Sequence, residues 1–122
     1  MRLLTHNMLA SHVKGVKKGF PLAIEATNVV VKAVDFNPDF ISRMIPRLEW
    51  SALFQAAQWI GHADKLPATV PEGFEENEEF LKAAHHCLME IEVMEGHLVC
   101  PESSHKFPIL NGIPNMLLAA DE

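Results

Sequence analysis

Cysteine is scarce in this chain: 122 residues contain two, Cys87 and Cys100. Two thiols do not make a disulfide-stapled secreted scaffold, so a reducing compartment is expected. Basic residues are also few. Ten Lys and Arg stand against 16 Asp and Glu, a formal net charge of -6, and the acids concentrate at residues 72–79. Unaided binding to nucleic acid would have to overcome phosphate repulsion, so direct RNA or DNA recognition is disfavoured. The one basic cluster, Lys14-Gly15-Val16-Lys17-Lys18, reads as a solvated loop between glycines. Long apolar runs are missing as well. No segment approaches the roughly 20 residues of a bilayer span, and Thr5, His6 and Asn7 interrupt the N-terminal stretch before signal-peptide length. A soluble intracellular protein with no membrane partner is the expectation. Chemistry is equally sparse. Residues 15–19 do not match a phosphate-binding glycine loop, and Ser51, Ser103 and Ser104 lack a glycine-flanked elbow. Nothing assembles a nucleophile, a base and an orienting group, so no catalytic or cofactor-binding residues are assigned.

What is present is an ordinary globular composition, 48% apolar and 21% charged, long enough for one modest core. Residues 22–34 carry Ile24, Thr27, Val29, Val30, Val31 and Val34 and read as extended strand. A helix start follows: Asn37 can cap, Pro38 suits the first helical position, Asp39 meets the dipole, and Phe36 can staple onto Ile41. Pro46 stops that helix. A second helix is expected over 50–60, with Trp50, Leu53, Phe54, Ala57 and Ile60 on one stripe and Gly61 terminating it. A third begins near Asn77, with Phe80, Leu81, Ala84, Cys87 and Leu88 inward. Beyond Leu88 the period becomes two, with Ile91 and Val93 alternating with Glu90 and Glu92. Glu95-Gly96 is expected to turn this strand back, and short strands are expected at 106–109 and after Pro114.

The tail, Cys100-Pro101-Glu102-Ser103-Ser104-His105-Lys106-Phe107-Pro108-Ile109, reads as half of a zinc ribbon whose ligands are gone. A zinc knuckle needs two thiolates about three residues apart, and here Ser103 holds the second place. A serine hydroxyl keeps its proton where a thiol beside a metal loses it, so zinc is not expected. His12 and His105 lie near the ligand places and with Cys100 form at most a three-ligand remnant, a reading outweighed by simple packing. His85 and His86 are neighbours on a helix, pointing about 100° apart, and do not chelate one ion together. Cys87 sits on an apolar stripe, where a thiol behaves as a small hydrophobe. Past the ribbon, Ile113, Met116, Leu117 and Leu118 crowd the end of the chain. A strand shows alternate faces, so all four cannot enter one core, and the remainder suits strand addition to a partner.

Met1-Arg2-Leu3-Leu4-Thr5-His6-Asn7-Met8-Leu9, Phe36-Asn37-Pro38, Met44-Ile45-Pro46 with Glu49-Trp50-Ser51, the segment Glu75 through Leu81 and the Cys100 tail occur in that order. Over nearly the whole chain they resemble the eukaryotic multifunctional methyltransferase activator subunits. The resemblance implies an α+β fold: a small antiparallel zinc-ribbon-like sheet built from both termini, 1–36 plus 89–122, with an inserted helical lobe, 37–88. It implies a non-catalytic, cytoplasmic and nuclear partner of several S-adenosylmethionine-dependent methyltransferases acting on tRNA, rRNA and a translation release factor. Such a subunit covers an apolar face of the enzyme and adds a strand to its sheet; the cofactor belongs to the partner, and RNA is met only through it. The implied contact region is Gly112, Ile113, Pro114, Asn115, Met116, Leu117 and Leu118, with His6, Asn7, Phe36 and Pro38 as weaker candidates. Some family members carry a four-cysteine zinc site. Here the corresponding places are Ser11, Val16, Cys100 and Ser103, one thiol of four. The competing class is a free-standing ribbon module for nucleic acid, against which stand the acidic balance and the lost ligands.

Overall fold

The β-branched stretch and the period-two stretch find each other. In a computed structural model of the chain, which describes residues 1–9, 17 and 19–116, β1 (Ala23–Val31) and β2 (Ile91–Val99) pair antiparallel from Ala23 opposite Val99 to Val31 opposite Ile91. β3 (Lys106–Leu110) pairs with β2, Leu98 facing Phe107, and β4 (Ile113–Pro114) pairs with β3. The sheet order is β1-β2-β3-β4, so β1 and β4 are its two edges. One strand comes from the N-terminal part and three from the C-terminal part, with three of the helices between them, an α+β arrangement.

The turn expected at Glu95-Gly96 does not form. β2 runs straight through both residues, and the pairing with β1 slips around Asn28, which faces Glu95. Burial shows the consequence: Ile91 and Val93 point inward before the irregularity, Leu98 and Cys100 after it, so the inward face changes from odd to even numbers. Gly96 is required by this bulge and not by a turn. Its φ is 150°, and a Cβ there would lie 2.1 Å from the Glu25 carbonyl oxygen.

The helices begin and end where local chemistry places them. Asn37 Oδ1 accepts the Phe40 N–H at 3.1 Å to open α2 (Pro38–Met44), and Ile45–Arg47 continues it as one 3₁₀ turn over Pro46. α3 (Trp50–Trp59) closes on Gly61, φ 78°, with Gly61 N–H donating to Gln58 O and His62 N–H to Ala57 O. Asn77 Oδ1 accepts the Phe80 N–H at 3.1 Å to open α4 (Glu78–His85), which runs on as a π turn over His86–Glu90 into β2. A fourth helix, α1 (Leu3–Asn7), was not foreshadowed by any cap. Arg2 offers no side-chain cap, and the helix is held by burial of Leu3, His6 and Asn7.

One cluster of buried residues runs through sheet and helices together. Leu22, Leu98, Phe107 and Ile109 from the sheet side meet Leu3, Ile41, Leu53, Ala56, Phe80, Ala84 and Leu88 from the helices. Among the described residues no helix is long and apolar enough to cross a membrane.

Candidate functional site

The β3–β4 hairpin carries the most exposed large apolar residues in the described sheet. Asn111 (φ 51°) and Gly112 (φ 76°) both take positive φ, the requirement of a tight two-residue hairpin turn, and Asn-Gly is the pair that meets it most easily. Strand alternation then sends Phe107 and Ile109 inward, while Leu110 and Ile113, facing each other across the turn, stay 65% and 70% exposed. Leu110 was not singled out from the sequence, although its place one residue after Ile109 was the signal. Past the turn, Asn115 N–H donates to Pro108 O at 2.9 Å, so the backbone of Pro114 before it faces away from β3. Pro114 has no N–H and offers only its carbonyl on that outer side. Met116 packs partly against the core, and Leu117 and Leu118 lie outside the described residues.

Under the turn sits the N-terminus. Met1 is 3% exposed, and its ammonium donates to Val93 O at 2.7 Å and Gly112 O at 2.5 Å, while its own carbonyl accepts the Val93 N–H at 2.8 Å. Glu92 lies 4.0 Å from this ammonium and 3.3 Å from Lys32 Nζ. Burial pushes the amine below the usual α-amino pKa, and the Glu92 charge draws it part of the way back.

The weaker candidates are placed differently. His6 is fully buried, its Nε2 bonded to Leu22 O at 2.6 Å and its ring edge-on to Trp59 at 6.5 Å. Its Nδ1 is buried without a partner among the described residues, and burial lowers its pKa, opposed by the Leu22 bond. Asn7 closes on Glu49 with two 3.0 Å bonds, one to the backbone oxygen and one from the backbone nitrogen, just before α3. Both residues belong to the interior and support the fold from beneath. Phe36 is half-buried, edge-on to His85 at 5.3 Å, and Pro38 is exposed at the start of α2. Both follow β1, the opposite edge of the sheet from β4. The link that carries them is gripped at Val34: His85 Nε2 donates to Val34 O at 2.8 Å and Glu90 Oε2 accepts Val34 N–H at 3.0 Å. That backbone bond, with His86 at 3.0 Å, holds the Glu90 carboxyl below the usual carboxylate range.

The turn from Cys100 to Ser104 is closed by local hydrogen bonds. Cys100 is 1% exposed, its Sγ accepts the Ser103 N–H at 3.3 Å, and Ser104 N–H donates back to Cys100 O at 3.0 Å with φ 63° at Ser104. Tetrahedral zinc in a structural site needs four donors, chiefly thiolate and imidazole. Here Ser103 supplies a hydroxyl, and no group of three or more His, Cys, Asp or Glu among the described residues is arranged to hold a metal. Among the described residues, this donor set does not fit zinc. Ser11, Val16 and His12 lie outside the described residues. Cys87, whose thiol burial raises to about 11 and whose Sγ lies 3.5 Å from His62 O, is protonated packing at neutral pH.

The Trm112p-like protein family model matches residues 2–112, from the strand-bridging Arg2 to the hairpin turn. The chain belongs to the Trm112p-like family. Relatives of this Trm112p-like chain include a Bos taurus protein named multifunctional methyltransferase subunit TRM112-like protein, 57% identical over 123 residues, covering 100% of this chain and 98% of its own length. An Arabidopsis thaliana relative, multifunctional methyltransferase subunit TRM112 homolog A, is 54% identical, covering 100% of this chain and 99% of its own length. Among solved structures, a chain of the E. cuniculi Mtq2-Trm112 complex, responsible for methylation of the eRF1 translation termination factor, overlays with TM-score 0.60 at 18% identity, covering 96% of this chain and 95% of that one. That likeness shows a shared fold.

Proposed function

We propose that this chain is a non-catalytic activating and stabilising subunit of S-adenosylmethionine-dependent methyltransferases that modify tRNA, rRNA and a translation release factor. The observation that carries the reading is the full-length likeness, at 57% identity, to a named methyltransferase subunit; the overlay on an Mtq2-Trm112 complex points the same way for the release factor. The chain acts by covering an apolar face of the enzyme and lengthening its sheet at the β4 edge. Ile113, Pro114, Asn115 and Met116 form the contact together with Gly112, and Leu117 and Leu118 continue it. Exposed Leu110 joins them. Phe36 and Pro38 offer a second, smaller contact from the far edge, whereas His6 and Asn7 contribute through the packing beneath. In this reading the residues at 1–36 and 89–122 form the zinc-ribbon-like lobe and 37–88 the inserted helical lobe, with apolar packing of Leu98, Phe107 and Ile109 in place of the metal. The partner supplies the cofactor site and the RNA contacts, and the pair works in cytoplasm and nucleus.

Co-expression with an Mtq2-type methyltransferase tests this. A stoichiometric complex is expected, with S-adenosylmethionine bound by the complex and not by the isolated subunit in calorimetry. A methyltransferase equally soluble and active without the chain overturns the reading. Elemental analysis of the purified subunit should find no stoichiometric zinc; about one zinc per chain, removed by chelator with loss of folding, defeats that part.

A further inference from the structure

α4 does not finish as an α-helix; the π turn over His86–Glu90 follows it and leads into β2. In an α-helix, side chains five residues apart point about 140° apart, so His85 and Glu90 could not act on one group. A π turn closes on bonds five residues apart and brings such a pair to the same side. His85 Nε2 lies 3.9 Å from Glu90 Oε2. Both reach the main chain of Val34. Glu90 Oε2 accepts the Val34 N–H at 3.0 Å and His85 Nε2 donates to Val34 O at 2.8 Å, so a residue outside every helix and strand has both its backbone groups held by side chains. Glu90 is itself steadied: Oε1 is bonded to His86 Nδ1 at 3.0 Å, and its backbone oxygen accepts the Lys32 N–H at 2.7 Å. The link so gripped, residues 32–37, has little packing of its own, since Lys32, Ala33, Asp35 and Asn37 are exposed. Apolar surface stands at both its ends. Val31 is 55% exposed at the close of β1, and Phe36 lies half-buried against His85, with Pro38 exposed beyond it. π turns are rare and frequent at functional sites, and this one serves an irregular link that leads to a candidate contact.

We propose that Glu90 and His85 are positioning residues for partner binding: through the Val34 backbone they fix the course of the 32–37 link and so present Phe36 and Pro38 to the methyltransferase. Neither residue needs to touch the enzyme. This rests on the reading of Phe36 and Pro38 as a second methyltransferase contact, and it places the control of that contact in the π turn behind it.

The test is a double-mutant cycle on the full chain with an Mtq2-type methyltransferase, using Glu90→Ala, Phe36→Ala and Ile113→Ala, with Glu90→Gln as the conservative variant. Hydrogen exchange reads the Val34 amide against those of Leu98 and Phe107 in the middle of the sheet. Glu90→Ala should speed exchange at Val34 by about tenfold or more, leave Leu98 and Phe107 unchanged, and weaken binding by about tenfold. Glu90→Gln, whose amide oxygen can still accept the Val34 N–H, should restore most of both. Losses from Glu90→Ala and Phe36→Ala should fall well short of multiplying, whereas those from Glu90→Ala and Ile113→Ala should multiply. Unchanged exchange at Val34 overturns the proposal, as does a freed Val34 with undiminished affinity. Fully multiplied losses with Phe36→Ala overturn it, because Glu90 then does not act through that contact. Faster exchange spread equally over Leu98 and Phe107 overturns it too, because the π turn then supports the whole fold. If Ile113→Ala weakens binding and Phe36→Ala does not, the proposal falls and the β4 contact stands. If the unaltered chain fails to bind the methyltransferase, the functional reading has failed and the proposal falls with it.

Discussion

The helical insert and the β3–β4 hairpin spend their apolar residues in opposite ways. Along α3 and α4, residues three and four apart share a face, and Leu53, Ala56, Ala57, Phe80, Leu81 and Ala84 all go into the core. Phe54 and Ala83 are half-buried, and Trp59, at 37%, is exposed. In the hairpin the period is two, so the adjacent pair Ile109 and Leu110 must part company: Ile109 is buried and Leu110 is 65% exposed, with Ile113 beside it at 70%. The insert consumes its hydrophobic residues in folding. The hairpin keeps a surplus at a sheet edge, which in the proposed function is the surface offered to the methyltransferase.

The contrast can be broken most forcefully from the helical side. Leu53→Ala empties a fully buried position and should lower stability by about 2 to 5 kcal/mol in urea denaturation, with partner affinity preserved wherever the variant remains folded. A loss below about 1 kcal/mol would mean that the insert is packed loosely and that the contrast is false. On the hairpin side, Ile113→Ala should cost about 2 kcal/mol of methyltransferase binding, roughly thirtyfold in affinity, while folding stability stays within about 0.5 kcal/mol. The reverse pattern, a lower melting temperature with intact binding, would return Ile113 to this chain's own core. Asn77→Ala removes the α4 cap and should cost about 1 kcal/mol of stability with no change in partner binding.

The smallest expected effect is acid sensitivity. Burial lowers the folded-state pKa of His6 below its ordinary 6.5, so its contribution to stability is complete above that value and declines as pH falls toward the folded pKa. Protonation would place an N–H on the buried, unpartnered Nδ1. Glu90, held below its ordinary 4.5 chiefly by the Val34 N–H, adds a second decline at still lower pH. Denaturation series with His6→Gln should flatten the first decline and leave the second. An identical pH profile in the variant would show that His6 does not carry it.

Legibility from sequence followed the range of the forces involved. The caps at Asn37 and Asn77 and the stop at Gly61 are local, a side chain or a glycine acting within a few residues, and the structure has them where the residues point. Gly96 was misread because one residue type serves both turns and bulges, and the choice depends on Glu25 and Ala26 some 70 positions earlier in the chain. α1 escaped notice because it has five residues and no cap, and its support is tertiary. The exposed apolar residue Ile113 was legible in part, since strand alternation can be counted.

Pro114 has a consequence for the company this protein keeps. An edge strand with full outward donors and acceptors matches its own copy as well as any partner, and pairs of such edges zip together. At Pro114 the outward side of β4 presents a carbonyl and no N–H, so two copies laid edge to edge there would set each carbonyl against a proline ring with no hydrogen to donate. The same residue leaves a hydrogen-bond acceptor free for a strand that brings its own N–H to that spot. Self-pairing is discouraged and hetero-pairing is not, which is what the proposed strand addition to a methyltransferase requires.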